Sequence, residues 1–216
     1  MNQFRYLLFD LDGTLTDPKP GITGCVAYAL DFFGIHVENL DTLTCFIGPP
    51  LVDSFMEYYG FSKEQAQTAC EKYRERFSSV GLYENHVYNG IIPLLKELKE
   101  AGYTLILATS KPHIYAKQIL EYFHMESYFS FISGSELDGT RNQKGSVIAY
   151  ALKMCNITEH SKVLMIGDRK HDILGAKENQ IASLGVLYGY GDLAEHQAAK
   201  ADYIIKNIQE LRDFLI

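Results

Sequence analysis

Two aspartates, Asp10 and Asp12, stand two positions apart in the stretch FDLDGTLTD, where the apolar run RYLLF ends. Like charges this close repel, so such a pair is tolerated when a bound cation compensates it, or when one carboxyl holds a proton while the other stays ionised. Three later stretches carry matching chemistry. Thr109 and Ser110 close the run YTLILATS and offer hydroxyl and backbone donors; the KPH that follows puts a proline near a helix start, where unpaired amides favour an anion. Lys144, in DGTRNQKG, adds a positive charge. Asp168 and Asp172, in GDRKHD, add hard oxygen ligands suited to magnesium, which favours carboxylates, water and substrate phosphate oxygens. Metal, hydroxyls, amides and lysine together suit a phosphoryl group, and two acids then have separate tasks: one attacks phosphorus and the other handles protons.

These residues act together only if the fold brings them to one place. A first strand is expected over about Phe4 to Phe9. Residues 17–83 read as helical, with apolar positions at three- and four-residue spacing and Gly34, Gly60 and Gly81 at helix ends; no strand is needed there. After Gly90, helical stretches alternate with the short apolar runs YTLILAT, YFSFISG, KVLMIG and IASLGVL. That alternation predicts βαβ units and a parallel sheet covered on both faces. The expected architecture is an α/β, three-layer, Rossmann-like core over residues 1–16 and 84–216, with a small helical cap over 17–83 inserted after the first strand. Ligands gather at the carboxyl ends of parallel strands. Asp10, Thr109, Ser110 and Asp168 would then face one crevice, with Lys144 in reach.

A chain of 216 residues suffices for one sizeable core with a smaller insert. Its formal net charge of -7 argues against a nucleic-acid polymer or an anionic membrane surface as the main partner. Asp10 breaks the N-terminal apolar run before a signal-peptide core or membrane span forms, so a cytoplasmic location is expected. Cys25, Cys45, Cys70 and Cys155 show neither CxxC spacing nor histidines at metal-ligand intervals, and read as buried free thiols. Oligomeric state is left open.

FDLDGTLTD, the strand-end ATS, Lys144 and IGDRKHD resemble, in order, the four motifs of the haloacid dehalogenase superfamily. The helical insert between the first two is similar to the cap of its phosphoglycolate phosphatase-like branch, and the resemblance spans nearly the whole chain. It implies magnesium-dependent hydrolysis of a small phosphorylated metabolite, with phosphoglycolate and nucleoside monophosphates as the leading substrates. Asp10 would form an aspartyl-phosphate. Asp12 would protonate the leaving oxygen and then activate water, its backbone carbonyl also on the metal. Thr109 would hold phosphoryl oxygens, Lys144 would balance charge at Asp10 and the phosphate, and Asp168 and Asp172 would position the metal. In one departure, Gly145 follows Lys144 where this branch often has proline. The cap would close over the substrate and bring its loop Cys45 to Leu51 to the leaving group.

Each assignment has an ordinary rival. Asp10 and Asp12 also suit a turn after a strand, and Thr109 and Ser110 suit a helix cap. Lys144 also reads as a solvated lysine, and Asp172 as a first-turn helix acid favoured by the dipole. Arg169, Lys170 and His171 read as solvent-facing loop charges, FMEYYGF as cap core, and the glycines of GVLYGYGD as a turn after the last strand. Two other activities fit the same motifs. A phosphosugar mutase would return the phosphoryl group to sugar; a receiver-like signalling module would leave Asp12 and the long cap unexplained.

Overall fold

The computed structural model describes residues 3–216, which divide into two compact units, one within Met1–Asp17 and Val87–Ile216 and the other Pro18–His86. The chain begins with β1 (Tyr6–Phe9) and the two-residue β2 (Thr16–Asp17), then enters the second unit through α1 (Lys19–Phe32), α2 (Leu51–Tyr59) and α3 (Lys63–Arg76). After β3 (His86–Val87) it runs through α4 (Ile91–Glu100), β4 (Thr104–Pro112), α5 (His113–Tyr122), β5 (Phe129–Ser135) and α6 (Lys144–Met154). It finishes with β6 (Val163–Gly167), α7 (Lys170–Glu178), β7 (Ala182–Val186), α8 (Leu193–Ala198), β8 (Tyr203–Ile205) and α9 (Ile208–Leu215).

Six strands form one sheet in the order β5-β4-β1-β6-β7-β8, every neighbouring pair parallel. Their sequences are continuous apolar runs because both faces are covered. On one face Leu8, Ile106 and Met165 pack in a cluster with Val147, Ile148 and Ala151 of α6 and Ala176 of α7. The alternate residues Leu7, Phe9, Leu105, Leu107, Leu164 and Ile166 point the other way and are buried as completely. The α/β class with a parallel sheet is therefore the one observed. From β1 the chain adds β4 and β5 on one side, then returns to place β6 on the other. That reversal beside β1 opens a crevice at the carboxyl ends of the strands.

Two features differ from expectation. IASLGVL is not the last strand: DYII supplies β8, a three-residue edge too short to stand out as a periodic run. And β4 continues past Thr109 to Pro112, its register against β5 shifting between Ala108 and Pro112, so Ser110 and Lys111 occupy strand positions.

The Pro18–His86 unit has its own core. α1 buries Ile22, Cys25, Val26, Ala29 and Leu30 at helical spacing, and α3 buries Ala66, Ala69, Cys70 and Tyr73. Phe55 and Phe61 of the FMEYYGF stretch stack within it at 5.9 Å, while Met56 and Tyr58 are exposed. The start of α3 is set by a reciprocal cap: Ser62 Oγ accepts from the Gln65 amide (3.2 Å), and Gln65 Oε1 accepts from the Ser62 amide (2.9 Å). No helix among the described residues is long and apolar enough to cross a membrane.

Loss of that cap has a local cost. Ser62→Ala should destabilise this unit by about 0.5–2 kcal/mol, and amide hydrogen exchange should speed up in the first turn of α3 while the β1, β4 and β6 amides keep their protection.

Candidate active site

The end of β1 sets the site. The Asp10 amide still donates to Ile166 O (2.9 Å), which keeps its backbone in the sheet beside β6. Leu11 O then accepts from the amides of Thr14 (3.3 Å), Leu15 (2.8 Å) and Thr16 (3.0 Å), winding residues 11–16 into a compact turn that presents Asp12. Gly13 has φ +80, and a side chain there would overlap the Asp168 carboxylate. The glycine of DLDGT thus serves both the turn and the approach of a second acid.

β4 and α6 bring the cations. Thr109 is buried and its Oγ1 accepts from the Lys111 amide (3.3 Å), while Ser110 O accepts from Ser135 Oγ (2.8 Å). Lys111, inside the extended part of β4, is buried with Nζ donating to Asp12 Oδ2 at 2.5 Å. Lys144 opens α6, and its Nζ lies 2.8 Å from Asp10 Oδ1 and 2.7 Å from Asp172 Oδ1 while donating to Ala108 O at 3.1 Å. It is a buried tie between β1, β4 and α7, not a solvated lysine.

β6 and α7 supply the remaining acids. Asp168 is fully buried and its Oδ2 accepts from the Tyr190 amide (2.8 Å). Asp172 Oδ2 accepts from the Arg169 amide (3.1 Å), so it does serve as a first-turn helix acid while its other oxygen faces Lys144. The reading of Arg169 as solvent-facing is corrected: its Nε donates to Glu195 Oε1 at 3.0 Å, on α8, and the side chain is only 13% exposed. Lys170 is exposed and His171 half-buried. The glycines of GVLYGYGD shape a loop that packs on Asp168, not merely a turn.

Asp10, Asp168 and Asp172 each offer an oxygen within 4.8 Å of the others. With Asp12, four buried carboxylates meet two buried ammonium groups, Lys111 and Lys144, leaving two negative charges without a counterpart. The strain is visible in the acids. Burial pushes Asp168 well above the ordinary carboxylate range, and the Asp172 and Asp10 charges add to it. Burial raises Asp172 to about 6 although Lys144 pulls it back, and burial likewise raises Asp12 against the pull of Lys111. For Lys144 burial acts downward, but the two carboxylates outweigh it and hold the ammonium above its usual range. Asp168 Oδ1 is buried with no hydrogen-bond partner among the described residues. An all-oxygen set with an unpaired oxygen and a double negative excess fits a hard divalent cation.

The structure thus gathers Asp10, Asp12, Lys144, Asp168 and Asp172, with Thr109 in β4 joined to the site through the Lys111 amide. The Asp12 side chain belongs to Lys111 and lies outside the three-acid group. Lys111 was not singled out from sequence. A lysine between serine and proline carries no pattern separating it from a solvated one, and only an extension of the YTLILAT strand would have revealed it.

The family model described as haloacid dehalogenase-like hydrolase matches residues 7–186. A relative from Pseudomonas aeruginosa named 5'-nucleotidase is 47% identical, covering 99% of this chain and 96% of its own. Tyrosine-protein kinase PtkA of Mycobacterium tuberculosis is 36% identical over 98% of this chain and 72% of its own. A solved structure of a predicted phosphatase from Clostridium acetobutylicum superposes with a TM-score of 0.95 at 48% identity, covering 97% of each chain.

The charge excess predicts an inverted pH dependence for the metal-free protein. Folding raises Asp168 and Asp172 above their ordinary value, Asp172 to about 6. The folded state therefore holds these protons more tightly than the unfolded chain. The stability they contribute is present below about pH 4 and lost as pH rises through their raised folded-state values, about 6 for Asp172. Without divalent cations, Asp168→Asn should melt above the unsubstituted protein at pH 7.5, by roughly 2–4 °C for each kcal/mol of relieved repulsion, with a smaller gap at pH 5. Magnesium should raise the melting temperature of the unsubstituted protein and leave the variant nearly unmoved.

Proposed function

Because the chain belongs to the haloacid dehalogenase-like hydrolases, we propose that this phosphoric monoester hydrolase cleaves nucleoside monophosphates, with magnesium as its metal and an aspartyl-phosphate on Asp10 as its intermediate. The observation that carries the reading is the pair of acids at the end of β1. Asp10 stands among Lys144, Asp168 and Asp172, whereas Asp12 stands apart on Lys111. One carboxylate is equipped to receive a phosphoryl group and the other to exchange a proton.

In the first half-reaction an Asp10 carboxylate oxygen attacks phosphorus as the bond to the ester oxygen breaks, and Asp12 gives that oxygen its proton. In the second, Asp12, now ionised, takes a proton from water as the water oxygen attacks phosphorus, freeing phosphate and returning Asp10 to a carboxylate. Asp12 must hold a proton in one step and release it in the other. Burial favours its neutral form and Lys111 its charged form, so opposing forces act on one group. Lys144 fixes Asp10 through the 2.8 Å ion pair and sets a positive charge beside the phosphoryl oxygens, where negative charge develops. The Thr109 hydroxyl and Ser110 amide hold those oxygens. Magnesium held by Asp10, Asp168, Asp172 and the Asp12 carbonyl would supply further neutralisation of phosphoryl charge.

The choice of nucleoside monophosphate rests on the 47% identical relative named 5'-nucleotidase. The proposed role of the Pro18–His86 unit is that of the family's cap, with Cys45 to Leu51 as its candidate specificity loop. A panel of phosphate esters, assayed for phosphate release with and without chelator, tests the reading. Nucleoside monophosphates should lead phosphoglycolate, sugar phosphates and phosphotyrosine, and chelation should abolish turnover. Full activity in excess chelator would contradict the metal, and transfer to a tyrosine hydroxyl without phosphate release would place the chain with PtkA.

Two substitutions separate the acids. Asp10→Asn should lower turnover by about 10⁴-fold or more while the protein stays folded. Asp12→Asn should slow the first step far more for alkyl than for activated aryl phosphates, whose leaving group needs little protonation. With the aryl ester it should also accumulate phosphoenzyme, seen as a burst of aryl alcohol ahead of phosphate. Equal slowing for both ester types, with no trapped intermediate, would reduce Asp12 to a scaffold.

A further inference from the structure

The loop after β7 bridges the two acid-bearing turns, and we propose that Tyr190 within it is a positioning residue that fixes Asp168 against the turn carrying Asp12 and thereby sets the affinity of the site for its divalent cation. This rests on the magnesium reading above.

Tyr190 binds in two directions. Its amide donates to Asp168 Oδ2 at 2.8 Å, and its hydroxyl donates to Asp17 Oδ1. Asp17 closes β2, at the end of the turn that starts from Leu11. Tyr188 repeats the link two residues earlier: its hydroxyl donates to Thr14 O at 3.1 Å, and its ring meets the Tyr88 ring edge-on at 5.3 Å. Between the two tyrosines, Gly189 leaves no room for a side chain, since a Cβ there would overlap Gly13 O and the Asp168 side chain. The loop therefore lays its backbone on the acid and sends two phenols to the turn.

Among the described residues the Tyr190 amide is the hydrogen-bond donor that orients Asp168, and it acts on one oxygen while the other, Oδ1, stays buried without a hydrogen-bond partner. An acid this strongly repelled by its neighbours swings away unless something holds it. The amide does so only as firmly as its own loop is anchored, and the Tyr190 hydroxyl is that anchor. A phenol donating to a carboxylate is a charge-assisted bond, stronger than the neutral bond made by Tyr188. The mechanism described above assigns Tyr190 no contact with substrate, so its effect passes through Asp168.

Isothermal titration of the metal-free protein with magnesium chloride, together with the magnesium-induced rise in melting temperature, tests this without assaying turnover. Tyr190→Phe should weaken magnesium binding by about 10–100-fold, the range for groups that orient metal ligands. Tyr103→Phe loses a neutral phenol bond, 2.6 Å to Leu215 O, away from the acids, and should bind magnesium as the unsubstituted protein does. Asp17→Ala should match Tyr190→Phe, the double variant should be no worse than either single one, and Asp17→Asn, which keeps an acceptor, should recover most of the affinity. If Tyr190→Phe does not fold, the contrast between Asp17→Ala and Asp17→Asn carries the test. Unchanged magnesium affinity in a folded Tyr190→Phe, or fully additive losses, would overturn the proposal. An unsubstituted protein that binds no magnesium would overturn the metal reading beneath it.

Discussion

Four carboxylates held out of water against two ammonium groups form the constraint on which the rest of this structure depends. Buried charge is tolerated when it is paired and hydrogen-bonded, and the molecule does this only in part. Lys144 reaches three elements at once through Asp10, Asp172 and Ala108 O. Lys111 neutralises Asp12. Asp168 receives one backbone amide, and its other oxygen is buried without a hydrogen-bond partner among the described residues. A parallel sheet suits this arrangement because its strands end together.

The two lysines give the acids separate partners. Asp10 and Asp12 leave the same strand two residues apart, yet Lys144 draws Asp10 toward Asp172 while Lys111 holds Asp12 outside the metal-type group. Separate partners on separate elements, one at the start of α6 and one within β4, give the two acids different neighbours inside one small site. The register shift of β4 against β5 accompanies this difference, since Lys111 lies in the stretch where pairing skips from Ala108 to Pro112.

Much of this was legible in the sequence because the informative residues are local to strand ends. Continuous runs such as YLLF and VLMIG mark strands buried on both faces, and the polar residues just beyond them mark the crevice. Asp10, Asp12, Thr109, Lys144, Asp168 and Asp172 follow from that rule together with the order of their motifs. What escaped depends on long-range geometry. Lys111 matters only because β4 continues beyond its apolar run, and Tyr190 only because its loop crosses 22 positions in sequence to reach Asp168. Arg169 looked solvated because its partner Glu195 lies 26 positions away on a short helix that no strong periodicity announces. The three residues of β8 are too few to register as a strand without the edge of β7 to pair with.

The same charge excess ties function to stability. A neutral residue at position 168 would relieve repulsion and favour the metal-free fold, yet would remove an oxygen that a hard cation needs. Keeping a buried carboxyl at position 168 among like charges is therefore a local sacrifice of stability. Its surroundings show how the sacrifice is contained. Strain at one acid does not spread when the atoms around it cannot yield, and here Gly13 and the loop on either side of Tyr190 press against the carboxylate from two directions. The apolar strand β6 ends directly beneath it at Gly167. The repulsion that weakens the metal-free fold arises in the same close grouping of Asp10, Asp168 and Asp172 that suits a hard cation.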